Sequence, residues 1–188
     1  MGLSIIILAA GQGTRMRSDL PKVLHRLAGK PLLGHVIDCA RAAGADDICV
    51  VYGHGGETVP KAFAGQKLRW ALQAEQNGTG HAVMQAMPET PDDNQVMVLF
   101  GDVPLLLPAT LRRLIDATAS DEVAVLTVDM DDPTGYGRIV RKDGRVVRNV
   151  EQKDASAAER AISEINTGVM LAPAKSLRRW LDNLGNDN

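Results

Sequence analysis

Leu3-Ser4-Ile5-Ile6-Ile7-Leu8-Ala9-Ala10-Gly11-Gln12-Gly13-Thr14-Arg15-Met16 is the stretch that decides the fold. Its first half, residues 3–9, is an apolar run that predicts a buried strand. Its second half is a glycine-rich turn carrying Arg15, and Pro21-Lys22 follows a few residues on. Glycines let main-chain N–H groups come close to phosphate oxygens because no Cβ intervenes, and two basic side chains neutralise the charge that amides leave over. A turn of this kind at the end of a buried strand suits a polyphosphate. It is neither of two familiar phosphate loops. A dinucleotide fingerprint needs glycine where Met16 stands, and a Walker A loop needs Ser or Thr after Gly-Lys, where Gly29-Lys30 is followed by Pro31.

With 188 residues the chain builds one sizeable core. A net charge of −2 and 3% aromatic residues leave neither the electrostatic footprint nor the stacking platforms of a nucleic-acid binder. The apolar runs are too short to span a bilayer, and Met1-Gly2-Leu3-Ser4 lacks the basic start of a secretory signal. Cys39 and Cys49 sit in apolar contexts and read as buried free thiols of a reducing, cytoplasmic compartment.

Strand and helix signals alternate. Strands are predicted at 3–9, 48–52, 68–73, 96–100 and 123–128. Helices are predicted over 32–43, where Gly44 stops the helical spacing, over 57–64 and 81–87, and from Pro108 onward. Beyond them come a hairpin turning at Asp143-Gly144, a polar helix at 155–161, a strand at 166–171 and a helix at 175–184. Alternating units of this kind imply a mostly parallel sheet with helices on both faces, and the hairpin reads as an insertion.

Ligands of a doubly wound sheet lie beyond the carboxyl ends of its strands. Three polar loops fall at such ends, over residues 9–15, 73–81 and 101–104. Arg15 and Lys22 are the candidate phosphate cations. Asp102 is the candidate ligand for Mg²⁺, which takes one or two carboxylates and completes its shell with substrate phosphates and water; the position equally suits a turn aspartate. Gln73, Gly78 and Thr79 suit base recognition, since a side-chain amide donates and accepts along a base edge, in a loop otherwise rich in ordinary turn formers. Gly137, Glu151, Asn166 and Thr167 are the candidate sugar pocket, Glu151 and Asn166 offering the acceptor–donor mix that sugar hydroxyls need; on residue type alone, Glu151 and Asn166 read first as strand ends. His81 is expected to begin a helix in a structural role. His25, His35 and His54 have no ligand spacing.

Taken in order, these segments resemble a known family. Leu8-Ala9-Ala10-Gly11-Gln12-Gly13-Thr14-Arg15-Met16 with Pro21-Lys22-Val23-Leu24 resembles the signature of the sugar-nucleotide pyrophosphorylases. Gln73-Ala74-Glu75-Gln76-Asn77-Gly78-Thr79-Gly80-His81-Ala82, Gly101-Asp102-Val103-Pro104-Leu105, the segment from Asp132 to Ile139 and Glu164-Ile165-Asn166-Thr167-Gly168 narrow it. They resemble the N-terminal domain of the bacterial bifunctional N-acetylglucosamine-1-phosphate uridylyltransferase/glucosamine-1-phosphate acetyltransferases, over essentially the whole chain.

The resemblance implies a Rossmann-like, doubly wound, mostly parallel α/β sheet with a β-hairpin insertion. It implies the reaction of UTP with N-acetylglucosamine 1-phosphate to give UDP-N-acetylglucosamine and pyrophosphate. Leu8, Ala9, Ala10, Gly11 and Gly13 would line the nucleotide, Arg15 and Lys22 would act on phosphates, Gln73 and Gly78 would read uracil with Thr79 beside them, and Asp102 would bind the catalytic Mg²⁺. Gly137, Glu151, Asn166 and Thr167 would hold the N-acetylglucosamine. Gln12 stands where relatives commonly carry Lys. In that family an Asn beyond the position of residue 188 completes the Mg²⁺ site, and a left-handed β-helix then carries the acetyltransferase and the trimer contacts. The resemblance therefore implies that residues 1–188 are a C-terminally shortened nucleotidyltransferase domain of a homotrimeric cytoplasmic parent, which feeds peptidoglycan and lipopolysaccharide synthesis. Two alternatives stand beside it: a non-catalytic fragment that binds nucleotide sugars, and a pyrophosphorylase for another hexose 1-phosphate.

Overall fold

The computed structural model describes residues 2–11, 13, 16–53 and 55–184. In chain order its elements are β1 (Leu3–Ala9), the two-residue strands β2 (Arg26–Leu27) and β3 (Lys30–Pro31), α1 (Leu32–Ala43), β4 (Asp47–Tyr52), α2 (Thr58–Ala62), β5 (Arg69–Leu72), α3 (Gly78–Ala86), β6 (Gln95–Phe100), α4 (Pro108–Asp116), β7 (Ala124–Asp129), β8 (Arg138–Lys142), β9 (Arg145–Val150), α5 (Ala157–Arg160), β10 (Glu164–Pro173) and α6 (Ala174–Leu181). They divide into two compact units, one of Met1–Ala124 with Met170–Asn188 and one of Val125–Val169, and β10 runs from the second into the first.

In the first unit the strand order is β5-β4-β1-β6-β10. β5, β4, β1 and β6 are parallel, and the last residues of β10 run antiparallel to β6, Met170 opposite Val98. β1 is central and buried on both sides: Ile5, Ile6 and Ile7 are fully excluded from solvent. Burial of each such side chain is worth about 1.5–3 kcal/mol. Successive strand residues face opposite sides. Ile6, Leu8, Cys49, Val51, Val96 and Val98 share one cluster with Ala82, Val83 and Ala86 of α3 and Leu177 and Leu181 of α6. Ile5 and Ile7 therefore face the other side, where α1 packs on β1 and against α4. The sheet is covered on both faces, as the alternating pattern predicts.

The helix over residues 32–43 ends as expected: Gly44 takes the left-handed conformation (φ 102°) and its N–H donates to the carbonyls of Ala40 and Arg41. Cys39 and Cys49 are buried and unbridged, and burial pushes the Cys49 thiol up to about 11 against the pull of Arg69, so it stays protonated and inert. No helix among the described residues is long and apolar enough to cross a membrane.

The second unit contains β7, the first half of β10, β8 and β9. β8 and β9 form the hairpin anticipated at Asp143-Gly144, both of which have positive φ.

Three expectations need correction. The β2–β3 hairpin is absent from the sequence reading; it turns at Ala28-Gly29, both at positive φ, and only Gly29 signals it. α3 starts at Gly78 rather than at residue 81, because burial of Ala82, Val83 and Ala86 outweighs the poor helix propensity of two first-turn glycines. His81 is therefore one turn inside α3 instead of at its start. The helix expected over 57–64 shrinks to Thr58–Ala62.

Candidate active site

From β1 the chain winds outward through β4 to β5, then returns by α3, packed across β4 and β1, to β6 on the far side of β1. Strand order reverses between β1 and β6, and a crevice opens at such a point beyond the carboxyl ends. Here it is a cavity of about 510 Å³. Leu8, Ala9, Ala10, Gly11 and Gly13 line it from β1 and its glycine turn, Gln73, Gly78 and Thr79 from the β5–α3 connection, Asp102 from the end of β6, and Lys22 from a single 3₁₀ turn, Lys22–Leu24, anchored by buried Val23 and Leu24. Every nucleotide-side candidate among the described residues thus converges on one wall. Arg15, with Thr14 and Gln12, lies outside the described residues.

Two of the charged candidates, Lys22 and Asp102, meet. Lys22 Nζ donates to Asp102 Oδ2 at 2.6 Å, with both side chains partly exposed to the cavity. Gly13 lies against this lysine at φ 60°, and a Cβ there would stand 2.7 Å from Lys22 Cβ. The glycine is therefore required by the chain itself as well as suited to a ligand. A Cβ on Gly11 would meet nothing within 4 Å.

Gln73 is buried. Its Nε2 donates to the Gly78 carbonyl at 3.0 Å and lies 3.2 Å from His81 Nδ1. The side-chain amide nitrogen is thus engaged within the protein, where the sequence reading has it free to donate. Gln76, which the sequence reading did not single out, lines the same cavity and donates from Nε2 to the Ala10 carbonyl at 2.9 Å. Its only signal was its place within the Gln73–His81 segment. Gly53 lies beneath, where a Cβ would come within 2.8 Å of the Gln73 main-chain carbonyl oxygen and 3.1 Å of Ala10 Cβ.

No group of three or more His, Cys, Asp or Glu placed to hold a metal occurs among the described residues. Asp102 is one carboxylate opening on a cavity. That donor set matches a hard cation completed by phosphate oxygens and water, and does not match a site closed by protein ligands alone.

The sugar candidates belong to the second unit, where register gathers them. Arg138 of β8 lies opposite Ile165 of β10 and Val150 of β9. With β8 antiparallel to both, Gly137, Asn166 and Glu151 fall in one row at the same end. The Asn166 N–H donates to the Gly137 carbonyl at 3.0 Å, and Asn149 Nδ2 donates to Glu151 Oε1 at 3.1 Å. A Cβ on Gly137 would collide with Asn149. Thr167 departs from the row: its hydroxyl donates to the Leu126 carbonyl at 2.7 Å and accepts from the Val169 N–H at 3.2 Å, so it braces β10 against β7. Arg138, fully buried, donates to the Tyr136 carbonyl and to Gln152 Oε1 and holds the segments on either side of the row.

Known proteins resemble this chain in sequence and in fold. Residues 5–183 match the MobA-like NTP transferase domain. The chain is 56% identical over 186 residues to the "Bifunctional protein GlmU" of Herminiimonas arsenicoxydans and 60% identical over 186 residues to that of Thiobacillus denitrificans, covering 99% of this chain and 41% of each relative. It thus spans about two-fifths of the length of the curated relatives it matches. A crystal structure of UDP-glucose pyrophosphorylase complexed with UDP-glucose shares the fold at a TM-score of 0.81 and 17% identity, over 100% of this chain and 83% of that one. The resemblance drawn from the ordered motifs is borne out, and the chain belongs to the MobA-like NTP transferase family.

Proposed function

We propose that this chain transfers a uridylyl group from UTP to N-acetylglucosamine 1-phosphate, releasing pyrophosphate and giving UDP-N-acetylglucosamine. One observation carries the reading: the glycine turn, the Gln73–Gly78 pair and the Lys22–Asp102 pair all line one cavity at the reversal of strand order. The nucleophile is a phosphate-monoester oxygen, largely ionised at neutral pH because its second pKa is about 6. No general base is required. The obstacle is repulsion between two anions, so catalysis rests on alignment for in-line attack at the α-phosphorus and on neutralising charge.

Lys22 is the described cation that does this. In the resting chain it balances Asp102; with substrates bound, its ammonium turns to the phosphates. Asp102 is the residue that would hold Mg²⁺, and the ion would supply charge neutralisation between the reacting phosphates. Gln73 offers its carbonyl oxygen to a base donor. Uracil presents N3–H where cytosine presents an acceptor, and this selects UTP over CTP. Gly137, Glu151 and Asn166 would take the hydroxyls and acetamido group of the sugar.

The test is pyrophosphate release from a panel of nucleoside triphosphates and hexose 1-phosphates. UTP with N-acetylglucosamine 1-phosphate is expected to be the fastest pair. Asp102→Asn is expected to lower turnover by about 10²-fold or more with an unchanged melting temperature. Equal rates with CTP would remove the role given to Gln73, and UDP-N-acetylglucosamine binding without turnover would make the chain a binding fragment.

A further inference from the structure

We infer that Gln76 is a positioning residue for the nucleotide and acts through the Ala10–Gly11 peptide plane; this rests on the nucleotide reading above. Its Nε2 donates to the Ala10 carbonyl across 66 positions of sequence. The described peptide bonds are all trans, so the Ala10 C=O and the Gly11 N–H are two ends of one rigid plane and point in opposite directions. Fixing the carbonyl fixes the amide. Ala10 is buried and seated on Gly53, which holds one edge of the plane. On the other edge, a Cβ at Gly11 would find open space, so packing there does not resist a flip, and glycine makes the flip sterically cheap. The Gln76 hydrogen bond supplies that resistance. The hydrogen bond from Gln73 Nε2 to the Gly78 carbonyl closes the loop that presents Gln76.

In a nucleotide complex, an amide already aimed at a ribose or phosphate oxygen costs nothing to orient, and one free to flip must be ordered on binding. The ribose–triphosphate portion is common to all nucleotides. Gln76 therefore sets affinity without choosing the base, in contrast to Gln73.

Calorimetric titration of the chain with UTP, CTP and N-acetylglucosamine 1-phosphate tests this on Gln76→Met, which keeps length and loses the donor, and Gln76→Glu, which sets a carboxylate against the carbonyl. Gln76→Met is expected to weaken UTP and CTP by the same factor, about five- to tenfold. Gln76→Glu is expected to weaken them more. Affinity for the sugar phosphate and the melting temperature stay at wild-type values. The deficit of Gln76→Glu against wild type narrows as pH falls from 7.5 toward 4.5, because a protonated carboxyl regains a donor for the Ala10 carbonyl, which a purely structural role would not produce. Unchanged affinity in both variants overturns the inference, as does a loss confined to UTP, which would make Gln76 a base contact. Wild-type chain that binds neither nucleotide overturns the nucleotide reading, and this inference with it.

Discussion

The wall around Lys22 and Asp102 and the row Gly137–Glu151–Asn166 are built by opposite means. The first hangs from parallel strands buried on both faces, and its groups leave the sheet where β1 and β6 end. The second is assembled by register across antiparallel strands, of which β9 is exposed along all but its last position. A buried strand announces its own end in sequence, so the residues just past it can be picked out one strand at a time. A row made by register belongs to three strands at once and is written in none of them.

The contrast can be broken most sharply at Lys22. Lys22→Met is expected to slow pyrophosphate release about 10²–10³-fold, the scale of losing one preorganised charge donor. The fold should survive, since the lysine side chain makes a partly exposed ion pair on the cavity wall. A loss under fivefold would move the charge neutralisation elsewhere. A smaller effect is expected in the second unit. Gly137→Ala drives a methyl into Asn149 and should raise KM for the sugar phosphate about tenfold, the scale of one lost hydrogen bond, while titrated UTP affinity stays put. A matching fall in UTP affinity would erase the division of labour.

The smallest effect concerns what holds the hairpin. Arg141 donates from Nε to Glu164 Oε2 at 2.8 Å and from Nη2 to Oε1 at 2.6 Å, and this guanidinium pulls the Glu164 carboxyl down to about 2 from its ordinary 4.5. A depressed carboxyl stabilises the folded state above its unfolded pKa, and the contribution fades as pH falls from about 4.5 to about 2. The pair is solvent-exposed on the arginine side, so Arg141→Ala should lower the urea midpoint at pH 7 only slightly. The difference should shrink progressively below pH 4.5. A pH-independent cost would point to lost packing instead.

These particulars show what sequence carried. Ile5-Ile6-Ile7 and Val96–Leu99 named the central strands, and the polar residues beyond them named Lys22 as a phosphate cation and Asp102 as a metal ligand, though not that the two pair with each other. Gln76 escaped because its function lies in a contact with a main-chain carbonyl, which no residue type advertises. Thr167 reads as a sugar ligand by its neighbours, and no residue type announces that its hydroxyl also donates to the Leu126 carbonyl and accepts from the Val169 N–H. Ser156 and Glu159 carried a legible signal that went unused: their reciprocal hydrogen bonds form a capping box, and they start α5 at Ala157, two residues later than the polar stretch suggested.

The order of strands also has a kinetic consequence. β1 must wait for β6, whose Gln95 pairs with Leu3, until the whole of β4, β5 and α3 has been laid down between them. Distant pairings of this sort are entropically expensive and form slowly. The cavity beside β1 cannot be complete before this pairing is made, so a ligand lodged in it reports a closed central sheet.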